Sequence, residues 1–367
     1  MVRYEKMFMF LCFVVSLSIA LRAFFTGRYP DFSVYYYGSQ AFFYGVNPYI
    51  HTAQSFSNFV YPPFVLLFFS PFLLLSYINA GIVFLVVSFL SLLLGVYFFL
   101  QAIKKFTWGG YFLMLALCLF AFPVKFTFGM GQINLFIFFL LSMTIFFLNR
   151  KQQDVAGILL GMSLALKLFP FLLVLYFLVI RKIRIVYVAV VFLLLLYGVT
   201  FIIVGVDFHE FFLKSVVPGI GSSYQSDYYN QSLTGFFARL PLSVELGSIV
   251  KNLLGVGLIL LTFVVIMRST MKNLNGIVAL TSVLTLSLIV NPFSWQHHFV
   301  WLIPPLIASY YTFTVKNDKI LLAIAYILVA WNFPAPDTVP VLVRSHVLFG
   351  TILLWFLQMK FLFRKNV

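Results

Sequence analysis

Apolar runs long enough to cross a bilayer recur along the whole chain, at roughly 7–26, 79–102, 106–124, 132–148, 185–206, 246–267, 276–291, 298–314, 319–333 and 343–363. Crossing the hydrocarbon core takes about 20 apolar residues in a helix, because only a helix satisfies every backbone polar group within one such segment. Composition agrees: 63% of the 367 residues are hydrophobic and 9% are charged, against about 25% charged in soluble domains. A water-facing enzyme, a nucleic-acid binder and a disordered scaffold are excluded together. The predicted fold class is all-α: a polytopic transmembrane helical bundle of about 10–12 spans. Residues 1–367 are expected to form a single integral membrane domain.

Charge placement sets the orientation. Lys and Arg outnumber Asp and Glu by 24 to 9, a net charge of +15. The excess sits in short clusters between the runs, at Arg3/Lys6, Lys104/Lys105, Arg150/Lys151, Arg181/Lys182/Arg184, Arg268/Lys272, Lys316/Lys319 and Arg364/Lys365. That is the mark of cytoplasmic loops. The stretches 27–61, 207–245, 292–297 and 334–342 then face outward, and they carry Asp31, Asp207, Glu210, Asp227, Glu245 and Asp337. The first run, about Met7 to Phe25, is too long for a signal-peptide core and lacks a small-residue cleavage site, so it reads as a retained helix. The expectation is a multi-pass cell-membrane protein with its polar chemistry on the extracytoplasmic side. Cys12 and Cys118 lie within apolar runs, which indicates neither a disulfide framework nor a zinc site.

Two stretches break the pattern. Residues 62–76 are short and interrupted by Pro71, and 155–180 carries Lys167 and Pro170 in its middle. With basic clusters at both of its ends, 155–180 reads as two half-helices meeting near Lys167, a break tolerated at membrane depth where it lines a cavity. One of 62–76 and 79–102 is similarly expected to be re-entrant or interfacial.

The residues able to carry chemistry gather in a few places. Asp31 follows Pro30 and opens an aromatic stretch with Tyr35, closed by Gly45-Val46-Asn47-Pro48-Tyr49, which suits an interfacial helix in the first outer loop. An acid there serves either as an N-cap or, with its pKa raised by an apolar setting, as a general base on a hydroxyl. Tyr61 precedes Pro62-Pro63, where extended chain enters the membrane. Gln132 and Asn134, beside Gly129 and Gly131, offer neutral hydrogen bonds for a sugar or phosphate, and helix packing explains the glycines equally well. Lys167 needs a partner or must snorkel; a phosphate would pair with it. Asn230 and Arg239 in the long outer loop offer hydrogen bonds, and Trp295, His297 and His298 follow Asn291-Pro292. Adjacent histidines on a helix point about 100° apart and rarely bind one ion, so no metal and no cofactor is expected. Neither a Walker A sequence, a dinucleotide fingerprint nor a nucleophile elbow occurs.

In this order, Asp31 with Tyr35, Gly45 to Tyr49, Tyr61-Pro62-Pro63, Gly131-Gln132-Ile133-Asn134, Gly157 to Lys167 with Pro170, Asn230-Gln231-Ser232 and Ser294-Trp295-Gln296-His297-His298 resemble family 87 glycosyltransferases over residues 28 to 300. The resemblance implies a C-fold enzyme. It implies inverting transfer of a sugar, usually mannose, from a polyprenyl-phosphate donor to a hydroxyl of a glycolipid or glycan acceptor at the outer face of the lipid bilayer. It maps the family's general base onto Asp31 and its essential histidine onto His297 or His298. Lys167 and a histidine are then the phosphate partners, with Arg239 a further one. Tyr35, Tyr61, Gln132, Asn134, Asn230 and Trp295 are candidates for contacting the donor or acceptor. The alternative is a transporter or flippase of lipid-linked saccharides, which needs charges within several spans. From Ile185 onward the runs are nearly free of them, Lys251 being the main exception.

Overall fold

The computed structural model describes residues 2–24, 29–50, 54–219, 225–269, 274–334 and 338–364. Among these residues the regular secondary structure is all helical, with one isolated antiparallel bridge between Asn230 and Trp295. In chain order the helices are α1 (Val2–Phe24), α2 (Pro30–Phe43), α3 (Phe64–Phe69), α4 (Tyr77–Ala102), α5 (Trp108–Phe120), α6 (Phe122–Met130), α7 (Asn134–Asn149), α8 (Gln153–Leu166), α9 (Leu172–Val179) and α10 (Ile183–Val204). There follow α11 (Val206–Phe211), α12 (Val217–Gly219), α13 (Leu233–Ala238), α14 (Val244–Arg268), α15 (Leu274–Val290), α16 (Ile303–Thr312), α17 (Lys316–Ala330), α18 (Val341–Arg344) and α19 (His346–Arg364).

Four described helices are long and apolar enough to cross a membrane, namely α4, α10, α14 and α19, and a fifth span results if α5 and α6, bent by 66°, count as one. The outward faces of α10 and α14 expose Leu194, Leu195, Ile202, Leu253, Val256 and Leu260. Water would not tolerate such a surface and lipid does, so the protein is embedded in a membrane. The expected runs at 132–148 and 276–291 are the shorter apolar helices α7 and α15. The run at 298–314 begins as a tight 3₁₀ stretch over Gln296–Leu302 before α16. Pro304 and Pro305 bring no backbone N–H to the start of α16, where none is needed. Residues 62–76 form α3 and a 3₁₀ turn, Ser70–Leu74, that carries Pro71.

The basic clusters mark one end of the bundle. Lys104, Lys151 and Arg181 each stand just past a helix in left-handed backbone, with φ of 56°, 62° and 58°. Each closes its helix with the same pair of bonds, as in Lys105 N–H to the Leu100 carbonyl (3.0 Å) and Lys104 N–H to that of Gln101 (3.1 Å). These are Schellman caps, and a cation there faces the negative end of the helix dipole. Asn149 Nδ2 donates to the Ala102 carbonyl at 2.9 Å, so α4 and α7 end side by side.

Residues 153–182 turn back on themselves. Gly157 approaches the Ile185 carbonyl and Gly161 that of Ala189, where an added Cβ would stand 2.8 and 2.9 Å away. The two contacts share one offset and one direction, so α8 and α10 run parallel from a common end, with small residues admitting the close approach. Asp154 and Arg184 pair there at 2.6 Å. The chain between must return along α9, which makes Lys167, extended at φ −158° and ψ 121° after Leu166, the tip of the excursion. The fourteen residues of α8 rise about 21 Å, short of the roughly 30 Å of hydrocarbon. Lys167 therefore lies at the end of α8 away from the basic clusters, and the first residues of α7 lie at that same end.

Helix α2 forms where the aromatic stretch predicts it. It is packed in rather than laid on the surface: Phe32, Val34, Tyr35, Tyr36 and Ser39 are all buried. Phe32 meets Phe84 of α4 (5.1 Å between ring centroids) and Phe69 of α3 (6.2 Å), and Tyr35 stacks on Phe69 at 4.4 Å.

Candidate functional site

Asp31 is not the N-cap of α2. Tyr29 occupies that position and Pro30 the first turn, which leaves the carboxylate available to a neighbour. Gln132 takes it, donating from Nε2 to Asp31 Oδ2 at 2.7 Å. Gly131 makes this approach possible. Its φ is +69°, and a Cβ there would stand 2.8 Å from that of Phe32 and 3.1 Å from that of Tyr29, so only glycine lets residue 132 rest against the first turn of α2. Tyr35, one turn beyond Asp31, donates to Gln132 Oε1 at 2.8 Å. Gln132 Nε2 also donates to the Tyr61 hydroxyl at 3.2 Å, and the two phenol oxygens are 3.0 Å apart. Burial pushes the Asp31 carboxyl up to about 6, while the Gln132 bond and the Lys167 charge pull against it. A carboxylate that titrates near neutrality is suited to general-base work.

Lys167 reaches the same place from the tip of the α8–α9 turn. Its Nζ donates to Asn134 Oδ1 at 3.1 Å and lies 5.7 and 6.0 Å from the rings of Tyr61 and Trp301. Asn134 is fully buried and ties three segments together. Its Nδ2 donates to the His297 carbonyl at 3.1 Å, and its own carbonyl accepts from Trp301 Nε1 at 3.0 Å. Thr127 Oγ1 also donates to the His297 carbonyl, at 3.1 Å. The Lys167 charge acts on Asp31, His297 and His298 alike, so all three lie within its electrostatic reach.

The histidines are buried and partly unpartnered. The Trp295 backbone N–H donates to His298 Nδ1 at 3.0 Å. That bond assigns the proton of the neutral ring to Nε2. His298 Nε2 and His297 Nδ1 are buried without a hydrogen-bond partner, as are both side-chain polar atoms of Gln296. Phe169 (5.1 Å between centroids) and Trp301 (5.6 Å) both pack against the His298 ring and against each other (4.5 Å).

The structure thus gathers Asp31, Tyr35, Tyr61, Gln132, Asn134 and Lys167, with His297 and His298 beside them. Trp295 is joined to this group through the His298 bond. Arg239 and Asn230, expected to face a donor, are committed elsewhere. Arg239 Nη1 donates to the carbonyls of Asp227 (2.8 Å) and Asn230 (2.9 Å), and Nη2 donates to Ser345 Oγ (3.0 Å). Asn230 is fully buried, donates to the Pro292 carbonyl and accepts from Ser232 Oγ at 2.8 Å. Buried polar groups in a loop must find partners: Asn230 ties this loop to the histidine segment through the Pro292 carbonyl and the bridge to Trp295, and Arg239 ties it to Ser345. Thr127, Phe169 and Trp301 contribute without having been singled out in the sequence. The i, i+3 spacing of Trp301 from His298 was the available signal, and Phe169 stands two residues from Lys167.

The model of glycosyltransferase family 87 matches residues 59–292. A polyprenol-phosphate-mannose-dependent α-(1-2)-phosphatidylinositol mannoside mannosyltransferase of Mycobacterium tuberculosis is 25% identical over 296 residues, covering 75% of this chain and 68% of that protein. A polyprenol-phosphate-mannose-dependent α-(1-2)-phosphatidylinositol pentamannoside mannosyltransferase of Mycolicibacterium smegmatis is 27% identical over 258 residues, 67% of this chain and 59% of that protein. The crystal structure of ArnT from Cupriavidus metallidurans bound to undecaprenyl phosphate superposes loosely, with a TM-score of 0.46 and 15% identity over 96% of this chain and 77% of that one.

Proposed function

Since the chain belongs to glycosyltransferase family 87, and not to a class of transporters or flippases, we propose that it transfers a hexosyl group, mannose, from a polyprenyl-phosphate donor. The acceptor is a hydroxyl of a lipid or glycan at the extracytoplasmic face of a membrane that the chain crosses several times. The donor class is the one named for the mycobacterial relatives. The outward placement rests on the site lying at the end of the bundle opposite the basic caps.

The observation that carries the chemistry is the Asp31 carboxylate held by Gln132 within reach of the Lys167 charge. Asp31 takes the proton of the acceptor hydroxyl as its oxygen forms a bond to the anomeric carbon. The bond from that carbon to the phosphate oxygen breaks, and the electron pair leaves with the polyprenyl phosphate. Attack from the face opposite the leaving group inverts the anomeric centre. Charge develops on the departing phosphate, where Lys167 and the Nε2–H of His298 are placed to meet it. Preorganised donors of this kind supply the largest share of many rate enhancements. The proton on Asp31 is then lost to water.

Reconstitution in vesicles tests the assignment. Protein supplied with labelled polyprenyl-phosphate mannose is expected to release polyprenyl phosphate and to form a product of inverted anomeric configuration, with no turnover of a nucleotide-linked mannose. Use of the nucleotide sugar, or retention of configuration, refutes it.

A further inference from the structure

The polar groups beside Asp31 close into a ring. Each phenol has one proton, and the Tyr35 proton goes to Gln132 Oε1 at 2.8 Å. The 3.0 Å contact between the two phenol oxygens is then carried by the proton of Tyr61, whose oxygen accepts from Gln132 Nε2 at 3.2 Å. Every edge of the three-membered ring has one donor and one acceptor, and one amide N–H is left over. That N–H points at Asp31 Oδ2, 2.7 Å away. Reversed end for end, the amide would close the ring equally well, with all three edges running the other way. It would, however, put its carbonyl oxygen against the carboxylate, which an ionised acid opposes and a protonated acid welcomes. Ring direction and the charge on Asp31 therefore select each other.

We propose that Tyr35, Tyr61 and Gln132 are positioning residues for Asp31 rather than contacts for the donor or acceptor. The ring locks the Gln132 amide so that its outer N–H holds one carboxylate oxygen and leaves the other to the acceptor hydroxyl. This rests on Asp31 being the base. Tyr35 and Gln132 suit such a role: both are buried, their side-chain hydrogen-bond partners are each other, Asp31 and Tyr61, the Ile133 backbone also bonds the Tyr35 hydroxyl, and Tyr35 is backed by Phe69. The ring spans three segments distant in sequence, the start of α2, the Tyr61-Pro62-Pro63 entry and the start of α7, so it also fixes the base relative to the re-entrant lysine. Lys167 crosses the face of Tyr61 on its way to Asn134, which adds a cation–π restraint to the same phenol.

The test is the pH dependence of kcat/KM for sugar transfer in wild type, Tyr35→Phe, Gln132→Leu and Asp31→Asn. Wild-type activity falls as pH drops through about 6, where Asp31 takes up a proton. Losing the Gln132 donor removes a bond made to the ionised form, so in Gln132→Leu the acid limb moves up by about one pH unit. Activity is then about tenfold lower near pH 5 and recovers at alkaline pH, with the donor KM unchanged. Tyr35→Phe keeps the packing on Phe69 and opens the ring, so its limb moves the same way by less. Should Gln132→Leu not fold, Tyr35→Phe decides alone. A limb that stays at its wild-type position, or a loss equal at all pH values with a raised donor KM, overturns the positioning role. Persistent activity in Asp31→Asn removes instead the base on which it rests.

Discussion

Asp31→Asn should make the protein more stable and pH should control by how much. In the fold, burial raises the carboxyl from its ordinary 3.8 to about 6, and each unit corresponds to about 1.36 kcal/mol between the two protonation states. The folded chain keeps a proton that the unfolded chain releases, so stability is full below about pH 4 and is lost as pH rises to about 6. Above that window the loss reaches about 3 kcal/mol. Asparagine has nothing to ionise, and its side-chain oxygen still accepts from Gln132. The variant should therefore match wild type near pH 4 and exceed it at pH 8, by a melting shift on the order of 5 °C for a chain of this size. Thermal unfolding followed by tryptophan fluorescence in detergent micelles, for both proteins at both pH values, reads this directly, because the difference between them cancels every other titrating group. Equal shifts at the two pH values, or a less stable variant at pH 8, would refute the claim that this carboxylate is held at the expense of the fold.

Other perturbations separate roles at the site. Lys167→Met removes the proposed phosphate partner and should cost about 100-fold or more in kcat/KM, the scale of losing one preorganised charge-stabilising donor, while the protein still extracts and purifies as a folded monodisperse species. Asn134→Ala takes away the Lys167 acceptor and one of the two donors to the His297 carbonyl, which keeps Thr127, and should lower stability by about 1–3 kcal/mol, seen as a lower melting temperature. Arg239→Gln should lower the melting temperature and leave the donor KM unchanged, since its two Nη groups are committed to Asp227, Asn230 and Ser345. Gly157→Leu drives a side chain into the Ile185 carbonyl and should destabilise by about 1–3 kcal/mol through overpacking, with a corresponding drop in the yield of folded protein.

Much of this was legible in the sequence because membrane physics is written in composition. Apolar runs give the helices and basic clusters the end at which several of them are capped, and the pairing of Lys167 with Pro170 marks the break at the turn between α8 and α9. The residues that gather in the fold stood out in the sequence where each contradicts its surroundings: an acid opening an aromatic stretch, a lysine inside an apolar run, two histidines after a tryptophan. Sequence spacing does not distinguish a polar side chain that faces a ligand from one that closes its own loop, and Asn230 and Arg239 are of the second kind. Nor does it show that Gln132 and Tyr35, 97 residues apart, share a hydrogen bond, since only the chain crossing at Gly131 brings them together. The lengths of α7, α15 and α16 were set by packing and by Pro304-Pro305, against which hydropathy alone gives no boundary.

The most direct trial of Asp31 as the base is a single-turnover comparison of wild type and Asp31→Asn in lipid vesicles. It uses labelled polyprenyl-phosphate mannose and an acceptor lipid, at pH 8 where the wild-type carboxylate is ionised. The variant should bind the donor as wild type does and form product at least about 100-fold more slowly, the scale of losing a general base. Product formed at the wild-type rate by the asparagine variant would contradict the role assigned to Asp31.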